Sequence, residues 1–154
     1  MESVWDYPRP PKLEPVTQHL RIIFNKEIIA DSNRAFRVLE TSHPPVYYIR
    51  PEDIKMEFLK LKEGKRTFCE FKGSAIYYDL QVNGKLSRDA AWAYPQPNQR
   101  FKEISNHLAF YASKVDACYV GDELVQAQEG DFYGGWITSN IKGPFKGGPG
   151  TWGW

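Results

Sequence analysis

The sequence predicts a mainly β protein of the α+β class: a single curled antiparallel sheet or sandwich of hairpins, with one or two covering helices. Strand–turn–strand patterns recur along the chain, aromatic residues make up 15% of it, and no βαβ alternation is visible. The length of 154 residues suits one domain. We therefore expect a single domain, 1–154, in which 1–15 is an extended proline-rich arm and 139–154 is a glycine- and proline-rich tail.

Three segments have the pattern of a hairpin. The predicted strand pairs are 20–24 with 27–30, 76–82 with 85–92, and 115–120 with 123–126. The signal is strongest at Asn83-Gly84, because a type I′ turn needs positive φ at both central residues and Asn and Gly tolerate it best. Residues 35–40 alternate loosely enough to be a further strand.

Two segments predict helices. Pro51-Glu52-Asp53 places proline and two acids where a helix begins, and Ile54, Phe58 and Leu61 then share one face. The second helix is expected from about residue 98 to 112. Its apolar stripe is Phe101, Ile104, Leu108 and Tyr111.

Charge and cysteine content exclude several function classes. Twenty Lys and Arg against 19 Asp and Glu give a net charge of +1, too little surplus for broad nucleic-acid binding. No apolar run approaches the roughly 20 residues of a membrane helix, and the first residues resemble no signal peptide. Cys69 and Cys118 cannot make a disulfide framework or an all-cysteine zinc site. We expect a cytoplasmic protein without nucleic-acid or membrane partners, and with no metal or cofactor.

Aromatic residues occur in close pairs beside glycine or proline. The pairs are Tyr47-Tyr48, Tyr77-Tyr78, Trp92-Ala93-Tyr94 and Phe132-Tyr133. Adjacent strand residues point to opposite faces, so each doublet can place one ring in the core and the other where a ligand stacks. The alternative is that the rings pack on both faces of a sheet. Trp92 and Tyr94 share one side of their strand, and with Tyr48 they are the predicted walls of a ligand pocket.

Polar residues with reactive chemistry lie near these rings. Cys69 is a candidate nucleophile, because the nearby Lys72 could favour its thiolate and stabilise developing negative charge. His43, before a stiff Pro-Pro pair, is the candidate base, and Glu40 could orient its imidazole or contact a ligand. The alternatives are a buried, inert Cys69 and a His43 that only hydrogen-bonds its own loop.

Several stretches together resemble the family called domain of unknown function 427, sometimes labelled nucleotidyltransferase-like. They are VLETSHPPVYYI at 38–49, CEFKGSAIYY at 69–78, AWAYP at 91–95, residues 110–111 and 115–117, FYGGWIT at 132–138 and GPFKGGPG at 143–150. The resemblance implies a compact, β-rich domain whose motif residues gather around one pocket. The family pattern has Pro and then Tyr or Trp after the cysteine, whereas this chain has Glu70 and Phe71.

The residues and the resemblance predict a domain that binds a small molecule in an aromatic-lined pocket and could act on it. One alternative is a non-enzymatic module that docks a protein partner or a second copy of itself, as a homo-oligomer. Another is nucleotidyl transfer, which rests on the family label alone, because neither a phosphate-binding loop nor paired metal-binding aspartates is present.

Overall fold

A computed structural model describes residues 1–130 and 132–154 of the chain. Its strands, in chain order, are β1 (Glu2–Ser3), β2 (Lys12–Val16), β3 (Leu20–Phe24), β4 (Glu27–Ser32), β5 (Ala35–Leu39), β6 (Val46–Tyr48), β7 (Leu59–Cys69), β8 (Gly73–Val82), β9 (Lys85–Ala93), β10 (Leu108–Phe110), β11 (Ala117–Val120), β12 (Glu123–Leu124), β13 (Gln126–Ala127), β14 (Trp136–Ile137) and β15 (Ile141–Lys142). Short 3₁₀ helices occupy Val4–Asp6, Pro51–Asp53, Met56–Phe58, Gln99–Ile104 and Ala112–Lys114.

The strands form several sheets, almost all of them antiparallel. The larger sheets have the orders β10-β9-β8-β7, β12-β11-β3-β4 and β2-β5-β6, and β13 pairs with β14. The pairing of β1 with β15 is parallel and brings the two ends of the chain together. The mainly β class predicted from the sequence is therefore confirmed.

The predicted hairpins are confirmed by the strand pairing. β3 pairs with β4, β8 with β9, and β11 with β12. Asn83 and Gly84 have φ of 47° and 86°, and Asn25 and Lys26 have φ of 48° and 67°, so both turns use the left-handed conformation expected of a type I′ turn.

The helices are shorter than predicted. The first shrinks to two three-residue 3₁₀ turns, because from Leu59 onward the Leu-Lys-Leu-Lys alternation has the period of a strand and extends as β7. The second shrinks to Gln99–Ile104. Phe101 and Ile104, three residues apart, are both buried, a spacing that suits three residues per turn. The fully buried Leu108–Phe110 then pairs with β9.

The interior is divided into three hydrophobic clusters. These clusters are formed by the described residues 1–130 and 132–154. The core cluster contains mainly aliphatic residues of β3, β4, β8 and β9 together with Trp136: Leu20, Ile22, Ile29, Leu80, Val82, Ala91 and Ala93 are among its members. The aromatic cluster contains Tyr48, Tyr77, Trp92, Tyr94, Phe101, Ile104 and Tyr111. A smaller cluster of Val4, Tyr7, Leu39 and Ile141 joins the chain ends.

The two larger clusters lie on opposite sides of the same strands. Tyr47 belongs to the core cluster and Tyr48 to the aromatic cluster, as strand alternation predicts. Both rings of this doublet are buried and lie on opposite faces of the sheet, whereas in the Phe132-Tyr133 doublet Phe132 is 57% exposed. Within the described residues, no helix has the length and apolar character needed to cross a membrane.

Candidate functional site

A cavity of about 260 Å³ borders the aromatic cluster. Its lining comes from the β5–β6 connection, the β7–β8 turn, β9, and residues 132–146 near the C-terminus. All seven residues predicted from the sequence lie on it: Glu40, His43, Tyr48, Cys69, Lys72, Trp92 and Tyr94. The fold thus brings together residues that are up to 54 positions apart in the chain, from Glu40 to Tyr94.

Closely packed rings form one wall of the cavity. The Trp92 and Tyr111 ring centroids are 4.6 Å apart, and Tyr48 lies 6.4 Å from Trp92 in an edge-on arrangement. The Tyr94 centroid is likewise 6.4 Å from that of Tyr48. Trp92 and Tyr94 share this side because they are two positions apart around the end of β9, and the intervening Ala93 faces the core cluster.

The polar ends of Trp92, Tyr48 and Tyr111 have hydrogen-bond partners. The Tyr111 hydroxyl donates to the Phe132 carbonyl at 2.9 Å, and Trp92 Nε1 donates to the Tyr48 hydroxyl at 3.4 Å. Burial raises the pKa of Tyr48, Tyr94 and Tyr111, so their hydroxyls stay protonated at neutral pH. The wall therefore presents neutral rings.

Hydrogen bonds determine which nitrogen of the neutral His43 ring carries the proton. Gln128 Oε1 accepts from the Gly135 N–H at 2.9 Å, and Gln128 Nε2 donates to the Lys146 carbonyl at 2.7 Å. These two contacts orient the amide so that its Nε2 faces His43 Nδ1 at 3.3 Å. Nδ1 is then the acceptor, and the proton of the neutral ring is on Nε2.

The surroundings of His43 disfavour its charged form. The side chain is buried, and burial together with the positive charges of Lys146, Arg9 and Lys72 lowers its pKa to about 4. Glu40 Oε2 lies 4.0 Å from Nε2, too far for a hydrogen bond, and it also faces Arg9 at 3.7 Å. Burial and the nearby cations outweigh this carboxylate, so His43 is neutral and offers an N–H on the Glu40 side.

The β7–β8 turn carries Cys69 and Lys72 to the cavity. Asn98 holds this turn from the other side: its backbone N–H donates to the Lys72 carbonyl at 3.0 Å and its side chain to the Phe71 carbonyl at 2.7 Å. Gly73 has φ of +109°, a conformation that L side chains rarely adopt. Lys72 is 9% exposed, and its Nζ lies 6.0 Å from the Phe101 ring centroid.

The two cysteines have different environments. Both are free thiols, with Cys69 half-buried at the cavity and Cys118 buried in the core cluster. Burial raises the pKa of the Cys118 thiol, which lies in the core cluster. No hydrogen bond joins Cys69 to His43 in the part of the chain that the structure describes.

Sequence reasoning did not select several residues that complete the cavity. Tyr133 packs edge-on against His43 at 4.7 Å, and Lys146 Nζ lies 5.2 Å from the Tyr133 ring centroid. Gln128 orients His43, as described above. The Phe132-Tyr133 doublet was a signal for the first of these, whereas Lys146 and Gln128 carry no local pattern that distinguishes them from surface residues.

The acidic, histidine and cysteine side chains of the described residues do not form a metal site. Across residues 1–130 and 132–154, no group of three or more His, Cys, Asp or Glu side chains converges as a metal site would require. Glu40, His43 and Cys69 therefore line the cavity without forming such a group.

The fold and the cavity define a small, mainly antiparallel β protein with an aromatic-lined site. The chain belongs to the family described as domain of unknown function 427 (DUF427), whose model matches residues 12–121. A search of curated proteins gave no match. The matched region contains all seven predicted site residues, whereas Gln128, Tyr133 and Lys146 lie beyond it.

Proposed function

We propose that this domain binds a small molecule in the aromatic-lined cavity. The observation that supports the proposal most is the convergence of seven residues, selected for their chemistry from separate stretches of sequence, on one cavity. Ligand sites are typically concave and mostly apolar, with a few convergent polar groups that fix orientation. The volume of about 260 Å³ suits a ligand of one or two rings.

The rings suit a flat ligand. Trp92, Tyr111 and Tyr48 are already held in place by packing and hydrogen bonds, so a ligand that stacks on them need not order them. Preorganised walls reduce the entropic cost of binding. His43, Lys72 and Cys69 then supply polar groups around the edge of such a ligand.

If the cavity also catalyses a reaction, Cys69 is its nucleophile and Lys72 stabilises developing negative charge. The hydrogen bond at Nδ1 and the lowered pKa favour His43 as a hydrogen-bond donor through Nε2, rather than as the base expected from the sequence. Catalysis stays a prediction beside the binding proposal.

Thermal unfolding with a panel of aromatic metabolites, small carboxylates and nucleotides, with and without magnesium, tests binding. A ligand at 100 times its Kd stabilises by about 2.7 kcal/mol, which raises Tm by roughly 5–10 °C for a domain of this size. We expect the shift to disappear in Trp92→Ala and to persist in Trp152→Ala, whose ring is 87% exposed and outside the cavity. No shift with any compound would contradict the proposal.

Alkylation by iodoacetamide tests the nucleophile. Cys69 is more accessible than Cys118, so a difference between their alkylation rates would not show that Cys69 is a nucleophile. The informative comparison is the alkylation rate of Cys69 in different lysine variants. In a Cys118→Ala background, Lys72→Met should slow the alkylation of Cys69, and Lys60→Met, on an exposed position of β7, should not. Equal rates in all three proteins would remove the proposed role of Lys72.

Self-association is a second candidate, because several large rings, among them Trp152 and Phe68, are largely solvent-exposed. Trp152 is 87% and Phe68 75% exposed, and exposed apolar surface is typical of interfaces. Sedimentation of the wild type and of Trp152→Ser would show a dimer that the substitution removes. A monomer at every concentration would contradict this candidate and leave the cavity proposal intact.

We also propose a cytoplasmic location. It is supported by two free thiols, Cys69 and Cys118, which persist most readily in a reducing compartment. Fractionation of the source cells would test it, and recovery outside the cytoplasm would contradict it.

A further inference from the structure

The cavity is lined by two lysines whose charge the fold leaves uncompensated. Lys72 is 9% exposed and Lys146 is half-buried, and both line the cavity. Among residues 1–130 and 132–154, neither ammonium group forms an ion pair with a carboxylate. A buried cation without a partner is costly, and a ligand of opposite charge would offset that cost.

The carboxylates at the cavity do not compensate these lysines. Glu40 faces Arg9 at 3.7 Å, so its negative charge is already shared with a cation outside the cavity lining. Glu70 is exposed on the β7–β8 turn, where water screens its charge. Within residues 1–130 and 132–154, neither carboxylate therefore forms an ion pair with Lys72 or Lys146.

His43 adds a neutral donor to the same surface. Its Nδ1 is occupied by Gln128, and its Nε2 carries the proton on the side of Glu40. The positive charges of Lys146, Arg9 and Lys72 also act on this ring and lower its pKa. Two ammonium groups and an imidazole N–H together form a set of donors with few competing acceptors.

We infer that the cavity binds a flat molecule that carries a negatively charged group, with Lys72 and Lys146 as its counter-ions and the rings of Trp92 and Tyr111 against its flat part. This inference rests on the proposed function and adds the charge of the ligand to it. A carboxylate and a phosphate have the same chemistry here, and the test separates them.

A matched series of single-ring probes tests the charge. Benzoate, benzamide and benzylamine have nearly the same shape and are anionic, neutral and cationic, and phenyl phosphate replaces the carboxylate by a phosphate. Ligand-observed NMR measures their affinities for the full chain. We expect benzoate or phenyl phosphate to bind at least about tenfold more tightly than benzamide, with benzylamine the weakest.

Three variants locate the effect. Lys72→Met and Lys146→Met keep an unbranched chain of similar length and remove the charge, and each should bring the ratio of benzoate to benzamide affinity close to one. Lys60→Met removes a charge from an exposed position of β7 outside the cavity and should leave the ratio unchanged. Lys146 is less buried than Lys72, so Lys146→Met still measures the effect of the charge if Lys72→Met unfolds.

The outcomes separate the two proposals. If benzamide and benzylamine bind as tightly as benzoate, and compete for the same site, the charge inference is wrong and the small-molecule cavity stands. If no probe binds and no compound of the thermal panel shifts Tm, both are wrong. An independent measurement is the NMR titration of His43, whose pKa should rise when the anion binds, because the anion offsets Lys72, Lys146 and Arg9.

Discussion

The core cluster and the aromatic cluster share β8 and β9, but the first forms a packed interior and the second borders a cavity. On β9, Ala91 and Ala93 belong to the core cluster, which also contains Trp136. Trp92, between them, faces the aromatic cluster and the cavity. Strand alternation therefore gives one side of the sheet a packed interior and the other side a cavity lined by rings.

The difference lies in how the side chains are held. The core cluster is stabilised mainly by close packing of aliphatic chains such as Leu80 and Ile22, both 0% exposed. Rings of the aromatic cluster are also held by their polar ends, as in the 2.9 Å hydrogen bond between Thr67 and the Tyr77 hydroxyl. Rings fixed at their rims can border a cavity without collapsing into it, and this is what a binding site requires.

The largest expected effect comes from the core cluster. Leu80→Ala should lower the free energy of unfolding by about 2–5 kcal/mol, because a fully buried leucine leaves a cavity that the packed sheet cannot fill. Denaturant unfolding measures the loss. The affinity for benzoate should stay within about twofold of wild type wherever the variant is folded. A parallel loss of affinity would show that the two clusters are not independent.

The second largest expected effect is a pH dependence of the free energy of unfolding, which comes from His43 at the cavity. Burial and the nearby cations lower the pKa of His43 from its ordinary value of 6.5 to about 4. Between these values the unfolded chain binds a proton that the folded protein does not, so folding stability falls as pH decreases from 6.5 to 4. The loss should reach up to about 3 kcal/mol.

His43→Gln provides the control for this pH dependence. The variant lacks the titrating ring, so its unfolding free energy should fall less than that of the wild type across the same pH window. Denaturant unfolding at several pH values gives both curves. Parallel curves would mean that His43 titrates normally and that the cations around it do not act as described.

A third effect concerns the contact that ties the C-terminal segment to the cavity. Gln128→Met removes the acceptor of the Gly135 N–H and the donor to the Lys146 carbonyl, and unsatisfied buried groups cost about 1–3 kcal/mol. Unfolding measurements test the loss, and nitrogen NMR of His43 tests the cause. In the wild type the proton should be on Nε2, and in the variant this preference should weaken.

The control for this prediction is Gln126→Met, at an exposed position of β13. It should change neither the stability beyond a few tenths of a kcal/mol nor the tautomer of His43. A wild-type ring protonated at Nδ1 would overturn the assigned orientation of the Gln128 amide.

The sequence predicts local features well and long-range ones poorly. Asn83-Gly84 identifies its hairpin because the turn conformation depends on those two residues alone. β7 was not predicted as a strand because Ile54, Phe58 and Leu61 also fit a helical spacing. Pairing with β8 decides between a helix and a strand. Propensity is overridden here by the partner strand.

The candidate site divides in the same way. Trp92 and Tyr94 could be placed together because they are two residues apart in a strand pattern, and strand alternation decides their side. Gln128 could not be linked to His43, since 85 positions separate them and only the folded chain brings them together. Lys146 could not be predicted as a site residue for the same reason, because it lies in a segment whose composition predicts only a tail.

The smallest expected effect separates packing from binding within the aromatic cluster itself. Tyr94 is buried and lines the cavity, and its hydroxyl has no hydrogen-bond partner among the residues that the structure describes. Tyr94→Phe should therefore change the unfolding free energy by less than about 1 kcal/mol. Its affinity for benzoate should fall by up to about tenfold if the hydroxyl donates to the bound anion.

Tyr119→Phe, on β11 and away from the cavity, is the matched control and should alter neither quantity. Denaturant unfolding and ligand-observed NMR measure both proteins under one set of conditions. A stability loss of several kcal/mol in Tyr94→Phe would mean that the hydroxyl is satisfied within the fold. The aromatic cluster would then be a second packed core, because a hydroxyl that the protein itself holds is not available to a ligand.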